Sequence, residues 1–135
     1  MYYEIDNSIS HFLNYKEDID MSFDNQNAPA QTQTHVHEFE ESVKLAEEGE
    51  DRHNHRVAGV TSEVIEIGGG RHVHIFGLAN TDFLDHYHQI LGITGLDEPI
   101  PFTGKHVHAI VGTTTTVDDH NHEFIFTTQI DSPLV

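Results

Sequence analysis

The sequence predicts an all-β fold: three repeated antiparallel β-hairpin units with short connecting strands, sandwich- or barrel-like, behind an irregular N-terminal arm. Three observations carry this expectation. A His-x-His element recurs in matched units with a period near 35 residues. Beside those histidines, apolar residues alternate with a period of about two, as on one face of a strand. The runs are short and close on Gly, Asn, Asp and Thr. A period near 35 also suits helical repeats, but the β-branched content and the alternation disfavour helix.

Composition narrows the classes. The chain has 135 residues, enough for one domain, and 36% apolar residues, so its core is expected to be thin. There is no cysteine, hence no disulfide framework and no thiolate metal site. The formal charge is −17, from 6 basic and 23 acidic residues, which argues against nucleic acid as a partner and favours cations. Protonating all 13 histidines would bring −17 to −4, so protons and metal ions would both relieve self-repulsion. No run approaches the roughly 18 apolar residues of a membrane span. The first residues, MYYEIDNSISHFLNYKEDID, lack the basic and apolar regions of a Sec-type signal, so the location is expected to be cytoplasmic by default.

Residues 1–34, rich in Asn, Gln, Asp and Ser, are the expected arm, and 35–135 a single β domain. The first unit, 35–71, opens at His35-Val-His37 and continues to His53-Asn-His55. Its intervening loop is four residues longer than the others and has room for a helical turn. The second unit, 72–105, holds His72-Val-His74 and His86-Tyr-His88. The third, 106–135, holds His106-Val-His108 and His120-Asn-His122. Between units, short β-like runs at Val64–Ile67 and Pro99–Phe102 lead into glycine, a turn signal.

Reading two residues on from each pair gives Phe39, Val57, Phe76, Ile90, Ile110 and Phe124. The pattern is HxHxΦ at every pair, so imidazoles and apolar side chains share one face and the rings are expected to point inward. A buried polar group without a partner costs about 1–3 kcal/mol. A shared metal ion would satisfy several rings at once and add its binding energy to folding. The twelve histidines His35, His37, His53, His55, His72, His74, His86, His88, His106, His108, His120 and His122 are therefore the candidate ligands. All-nitrogen donors suit Zn, Cu, Ni or Fe.

Hairpins centred on Asn80 and Thr114 would set His72 opposite His88, His74 opposite His86, His106 opposite His122 and His108 opposite His120. Glu38, Asp51, Asp85, Asp118, Asp119 and Glu123 are candidates for extra ligands or for acceptors of the remaining ring N–H. His11 stands alone, and Thr113–Thr116 read as a loop. His35, His37 and Glu41 match the start of a cupin pattern, but its later glycine, proline and histidine motif is absent.

The phrases THVHEFEESVKLAEEGEDRHNHRVAGVTSEVI, TDFLDHYHQI and GKHVHAIVGTTTTVDDHNHEF, ending at TTQI, resemble the YmaF family of spore-forming Firmicutes over residues 34–130. The resemblance implies a bacterial origin and names no activity. The expected function is that of a non-enzymatic metal-binding protein whose ions stabilise the fold and a homo-oligomer. Open strand edges extend that expectation to a filament built through the N-terminal arm, either extracellular or spore-associated. The alternatives are a metalloenzyme (hydrolase or oxygenase) with an open His-ligated position and Glu38 or Asp119 as base, and a metal store.

Overall fold

The computed structural model describes residues 33–132. The arm at 1–34, apart from Gln33 and Thr34, thus lies outside the described residues, as do His11 and the arm's expected part in assembly. The described chain is mostly β. Each repeat contributes one antiparallel hairpin. The first pairs β1 (Val36–Ser42) with β2 (Arg56–Val60), and its loop carries a short 3-10 turn at Gly49–Asp51. After β3 (Ile65–Gly68) and β4 (Arg71–Val73), the second hairpin pairs β5 (Ile75–Asn80) with β6 (Gln89–Ile93). After β7 (Glu98–Ile100) and β8 (Lys105–Val107), the third pairs β9 (Ala109–Thr113) with β10 (Glu123–Thr127).

The connecting strands link the repeats in a cycle. Strand β3 leaves the first hairpin and pairs with β4, which opens the second unit. In the same way β7 pairs with β8, opening the third. The last connector, β11 (Asp131–Ser132), returns to the beginning and pairs with β1 through Val36–Ser132 and His37–Asp131. These ladders remain separate two- and three-stranded sheets and do not close into a barrel. Gly68, Gly69, Gly70 and Gly104 have positive φ, which fits the tight turns expected before the second and third His-x-His elements.

The six Φ residues all become buried, joined by Val43 and Phe126. Phe39 lies opposite Gly59, and Phe76 opposite Gly92. A Cβ built on either glycine would fall 2.6 Å from the facing ring, so each phenylalanine covers its partner strand only because no side chain is there.

The register differs from the one the loop lengths suggested. In β5–β6 the partners are Phe76–Gly92 and Asn80–Gln89; in β9–β10 they are Ile110–Phe126 and Thr113–Glu123. The second hairpin therefore turns near Asp85 and the third near Asp118, several residues past Asn80 and Thr114. His74 lies level with Thr94, whose N–H donates to the His74 carbonyl while the His74 N–H donates to Thr94 Oγ1, and His88 likewise with Thr81. His108 is level with Thr128 and His122 with Thr114, so the expected His–His facing within one hairpin does not occur.

Candidate metal centres

Antiparallel strands whose histidines lie toward opposite ends put the pairs at the two poles of the hairpins. The first pairs of all three repeats meet at one pole: His35, His37, His72, His74, His106 and His108, here centre one. The second pairs meet at the other: His53, His55, His86, His88, His120 and His122, here centre two. Within each set the ring nitrogens lie within 4.8 Å of one another. All twelve predicted histidines are thus brought together, across repeats instead of within a hairpin. The Φ core lies between the poles.

Each centre is two stacked triads. The inner triads are His37, His74 and His108 in centre one, and His55, His88 and His122 in centre two, all at most 1% exposed. The outer triads are His35, His72 and His106, and His53, His86 and His120, which are partly exposed.

The inner rings have their orientation fixed from the neighbouring repeat. His37 Nδ1 lies 2.9 Å from the Gln129 carbonyl, His74 Nδ1 2.8 Å from that of Ser62, and His108 Nδ1 2.8 Å from that of Gly95. In centre two the partners are Asp82 for His55 at 3.1 Å, Thr115 for His88 at 2.8 Å and Lys44 for His122 at 2.7 Å. A carbonyl oxygen only accepts, so each of these Nδ1 atoms carries the proton. Each inner Nε2 is then a bare lone pair, aimed into its centre.

In centre two the outer rings' Nδ1 atoms also face oxygen acceptors, so there lone pair meets lone pair. His37 Nε2 is 3.1 Å from His106 Nε2, and His88 Nε2 is 3.2 Å from His120 Nε2. His106 Nε2 also meets the Nε2 atoms of His35 at 3.0 Å and His72 at 3.1 Å. One nitrogen bears at most one hydrogen, so it cannot bond three such neighbours through protons. Buried His74 Nε2 and His122 Nε2 have no hydrogen-bond partner among the described residues. A cation at the centre of the six nitrogens satisfies all of them.

The ring packing specifies the polyhedron. In centre one, every ring stands edge-on to every other at 4.5–5.1 Å, except for three pairs: His35 with His108, His37 with His72, and His74 with His106. In centre two the exceptions are His53 with His88, His55 with His120, and His86 with His122. Four neighbours and one opposite for every vertex is the connectivity of an octahedron. Its edge is √2 times the centre-to-vertex distance, so nitrogen edges of 3.0–3.2 Å correspond to a metal–nitrogen bond of about 2.1–2.3 Å, at or just above the usual zinc–imidazole range of about 2.0–2.1 Å.

Burial dominates the protonation behaviour. It lowers His35, His37 and His122 to about 4 and His74 to about 3, and the adjoining imidazoles reinforce the shift. His55, His72, His88 and His108 are lowered from the same first cause. Burial thereby favours the neutral form of these eight rings, the form in which imidazole binds metal.

The outer rings meet acidic residues. Asp85 Oδ1 is 2.5 Å from His86 Nδ1, and this hydrogen bond lowers the Asp85 pKa. Asp51 acts through its carbonyl on His53; Asp118 does so on His120 and also sets its carboxylate 3.9 Å from His86. Of the other expected carboxylates, Glu38, Asp119 and Glu123 are exposed, and Glu123 pairs with Lys44. Three carboxylates the sequence reading missed do approach outer rings. Glu47 lies 2.9 Å from His120, Asp131 3.5 Å from His106 and Asp97 3.9 Å from His72. Burial alone would raise Asp97, but Arg71 and the His72 N–H outweigh it and hold it low.

The threonines were missed too. Thr61, Thr94, Thr128, Thr81 and Thr114 each accept, through Oγ1, the backbone N–H of the inner histidine opposite, at 3.0–3.1 Å. Thr114 is therefore buried structure and not loop filler. The recurring 20-residue spacing His74–Thr94 and His108–Thr128 is the signal that could have revealed these partners.

A family model described as spore germination protein GerY/YamF matches residues 32–130. The chain belongs to the YmaF family. No curated protein and no solved structure matches it. All twelve histidines of the two centres fall inside the matched span. Among the described residues of this YmaF protein, no helix is long and apolar enough to cross a membrane.

Proposed function

We propose that this YmaF protein is a structural metal-binding protein holding two six-coordinate divalent transition-metal ions per chain, one at each pole, which fasten the three repeats together. The observation that carries the reading is the cluster of Nε2 atoms 3.2 Å apart in centre two, where every ring's Nδ1 faces an oxygen acceptor and the Nε2 atoms are left unprotonated, an arrangement repulsive without a cation. Of the four metals the donors suit, Cu(II) prefers tetragonal and Zn(II) tetrahedral surroundings, so Ni(II) or Fe(II) fits six near-equivalent nitrogens best. Since the family's description ties it to spore germination, we read the protein as a metal-stabilised component of that process.

Six protein donors leave no position for substrate or water, and Glu38 and Asp119 are exposed rather than poised at either centre. These features weigh against a metalloenzyme. Fully buried inner triads weigh against a freely exchanging store. The homo-oligomer and filament keep a narrower basis: each centre is complete within one chain, so only unpaired strand edges favour a second copy. Sedimentation of metal-loaded protein tests that part. For the main reading, elemental analysis of native material should give two ions per chain, and X-ray absorption should give six nitrogens at about 2.1–2.3 Å. Trace metal, or a four-coordinate shell, would overturn it.

A further inference from the structure

The two centres share a donor set but differ in what surrounds it. Over the outer triad of centre two lies a cavity of about 440 Å³. Five acidic residues line it: Glu47, Glu50, Asp51, Asp85 and Asp118. No lysine or arginine is among its described lining residues. Its floor is His53, His86 and His120, and beneath them the buried, unpartnered Nε2 of His122 points into the same centre. At centre one the acids near the outer triad are neutralised: Asp97 pairs with Arg71 at 2.9 Å and Asp131 with Lys105 at 3.7 Å.

From this contrast we infer that the acidic cavity is the loading vestibule of centre two, through which hydrated divalent cations are concentrated and delivered to the histidines. The inference rests on the metal-binding reading above and adds that the two centres differ in kinetics. Carboxylates converging on a concavity raise the local cation concentration and the association rate, by roughly 10- to 1,000-fold in strongly steered systems. The vestibule acids also suit the approach of a hydrated ion, because oxygen donors hold divalent cations loosely while waters are lost. Nitrogen donors then take over at the floor. Centre one, ringed by ion pairs, lacks this attraction and fills slowly, so centre two loads first.

The test follows Ni(II) uptake by metal-stripped, full-length protein, using paramagnetic broadening of two backbone amides. Gly95 reports centre one through its carbonyl contact to His108, and Thr115 reports centre two through His88. The Thr115 signal should change first, and its rate should fall steeply as salt is added. The variant E50K reverses the charge of Glu50, a vestibule residue with no hydrogen bond or ion pair to a ligand histidine. It should slow the Thr115 phase by about three- to tenfold at low salt, flatten its salt dependence, and leave the Gly95 phase and the final two ions unchanged. If stripped protein unfolds, exchange of bound ions for added Co(II) in the holoprotein gives the same ordering. Equal rates at both amides, or an unaltered Thr115 rate in the variant, would overturn the vestibule while leaving the metal centres standing. Failure of either centre to take up metal would sink both.

Discussion

At the scale of single residues, the inner histidine is held at three points. In five of the six cases its backbone N–H goes to a threonine hydroxyl, with Val43 occupying the sixth position opposite His55. Its Nδ1–H goes to a carbonyl on another repeat, and its Nε2 faces the centre. The Ser62 and Gly95 carbonyls each accept both a threonine hydroxyl and a ring N–H, from Thr61 and His74 and from Thr94 and His108. Thr94→Val preserves shape but leaves the buried His74 N–H without its acceptor. It should cost about 1–3 kcal/mol, read as a lower urea midpoint at unchanged slope. Protonation works at the same scale. The folded-state pKa values of His35, His37 and His122 are lowered to about 4, and that of His74 to about 3, from 6.5. Below about 6.5 the unfolded chain takes up protons that the folded chain refuses, so metal-free stability should be full above that pH and fall steadily toward about 4. Urea unfolding of stripped protein across this range checks the sign. Stability rising on acidification would contradict burial of neutral rings.

Single strands show how far the amino-acid order alone could be read. The HxHxΦ alternation marked which face is buried, because burial follows directly from the two-residue repeat of a strand. It located all twelve ring residues and the six apolar residues beside them. Register was another matter. Placing the turns at Asn80 and Thr114 assumed that the two His pairs of a unit face each other, whereas each second pair lies beyond its ladder, nearer the turn. Spacing within one repeat cannot distinguish these cases, since both keep the histidines on the apolar face. What decides is the packing of the phenylalanines across Gly59 and Gly92, a contact between strands that no single strand's pattern encodes. The acids Asp97 and Asp131 were illegible for a similar reason, reaching histidines 25 residues away in sequence through the connecting strands. Gly92→Ala tests the packing. Its Cβ would stand 2.6 Å from the Phe76 ring, so ring and backbone must shift, at about 1–3 kcal/mol as for other overpacked cores. A neutral result in thermal unfolding would mean the ring has room that the register denies it.

For the molecule as a whole, stability depends on joining three hairpins that bury little on their own. The connectors do part of this, with β11 bringing the third repeat back to the first. The apolar core between the poles does another part, but only eight hydrophobic residues of the described chain are buried. Each pole draws two histidines from every repeat, so an ion there ties all three together at once. Chelation should then loosen the whole assembly cooperatively, not one hairpin. An ion present at a hundredfold excess over its Kd adds about 2.7 kcal/mol to the folded state. For a domain of 60–100 residues each 1 kcal/mol moves the melting midpoint by about 4–8 °C. EDTA should therefore lower the midpoint by at least about 10 °C for each ion removed, in a single transition, and added Ni(II) should restore it. The double variant His72→Ala/His106→Ala takes two of six donors from centre one alone. It should reduce bound metal from two ions to one and retain roughly the contribution of centre two. If EDTA leaves the midpoint in place while metal is demonstrably removed, connectors and core suffice, and the histidine poles do not hold the repeats together.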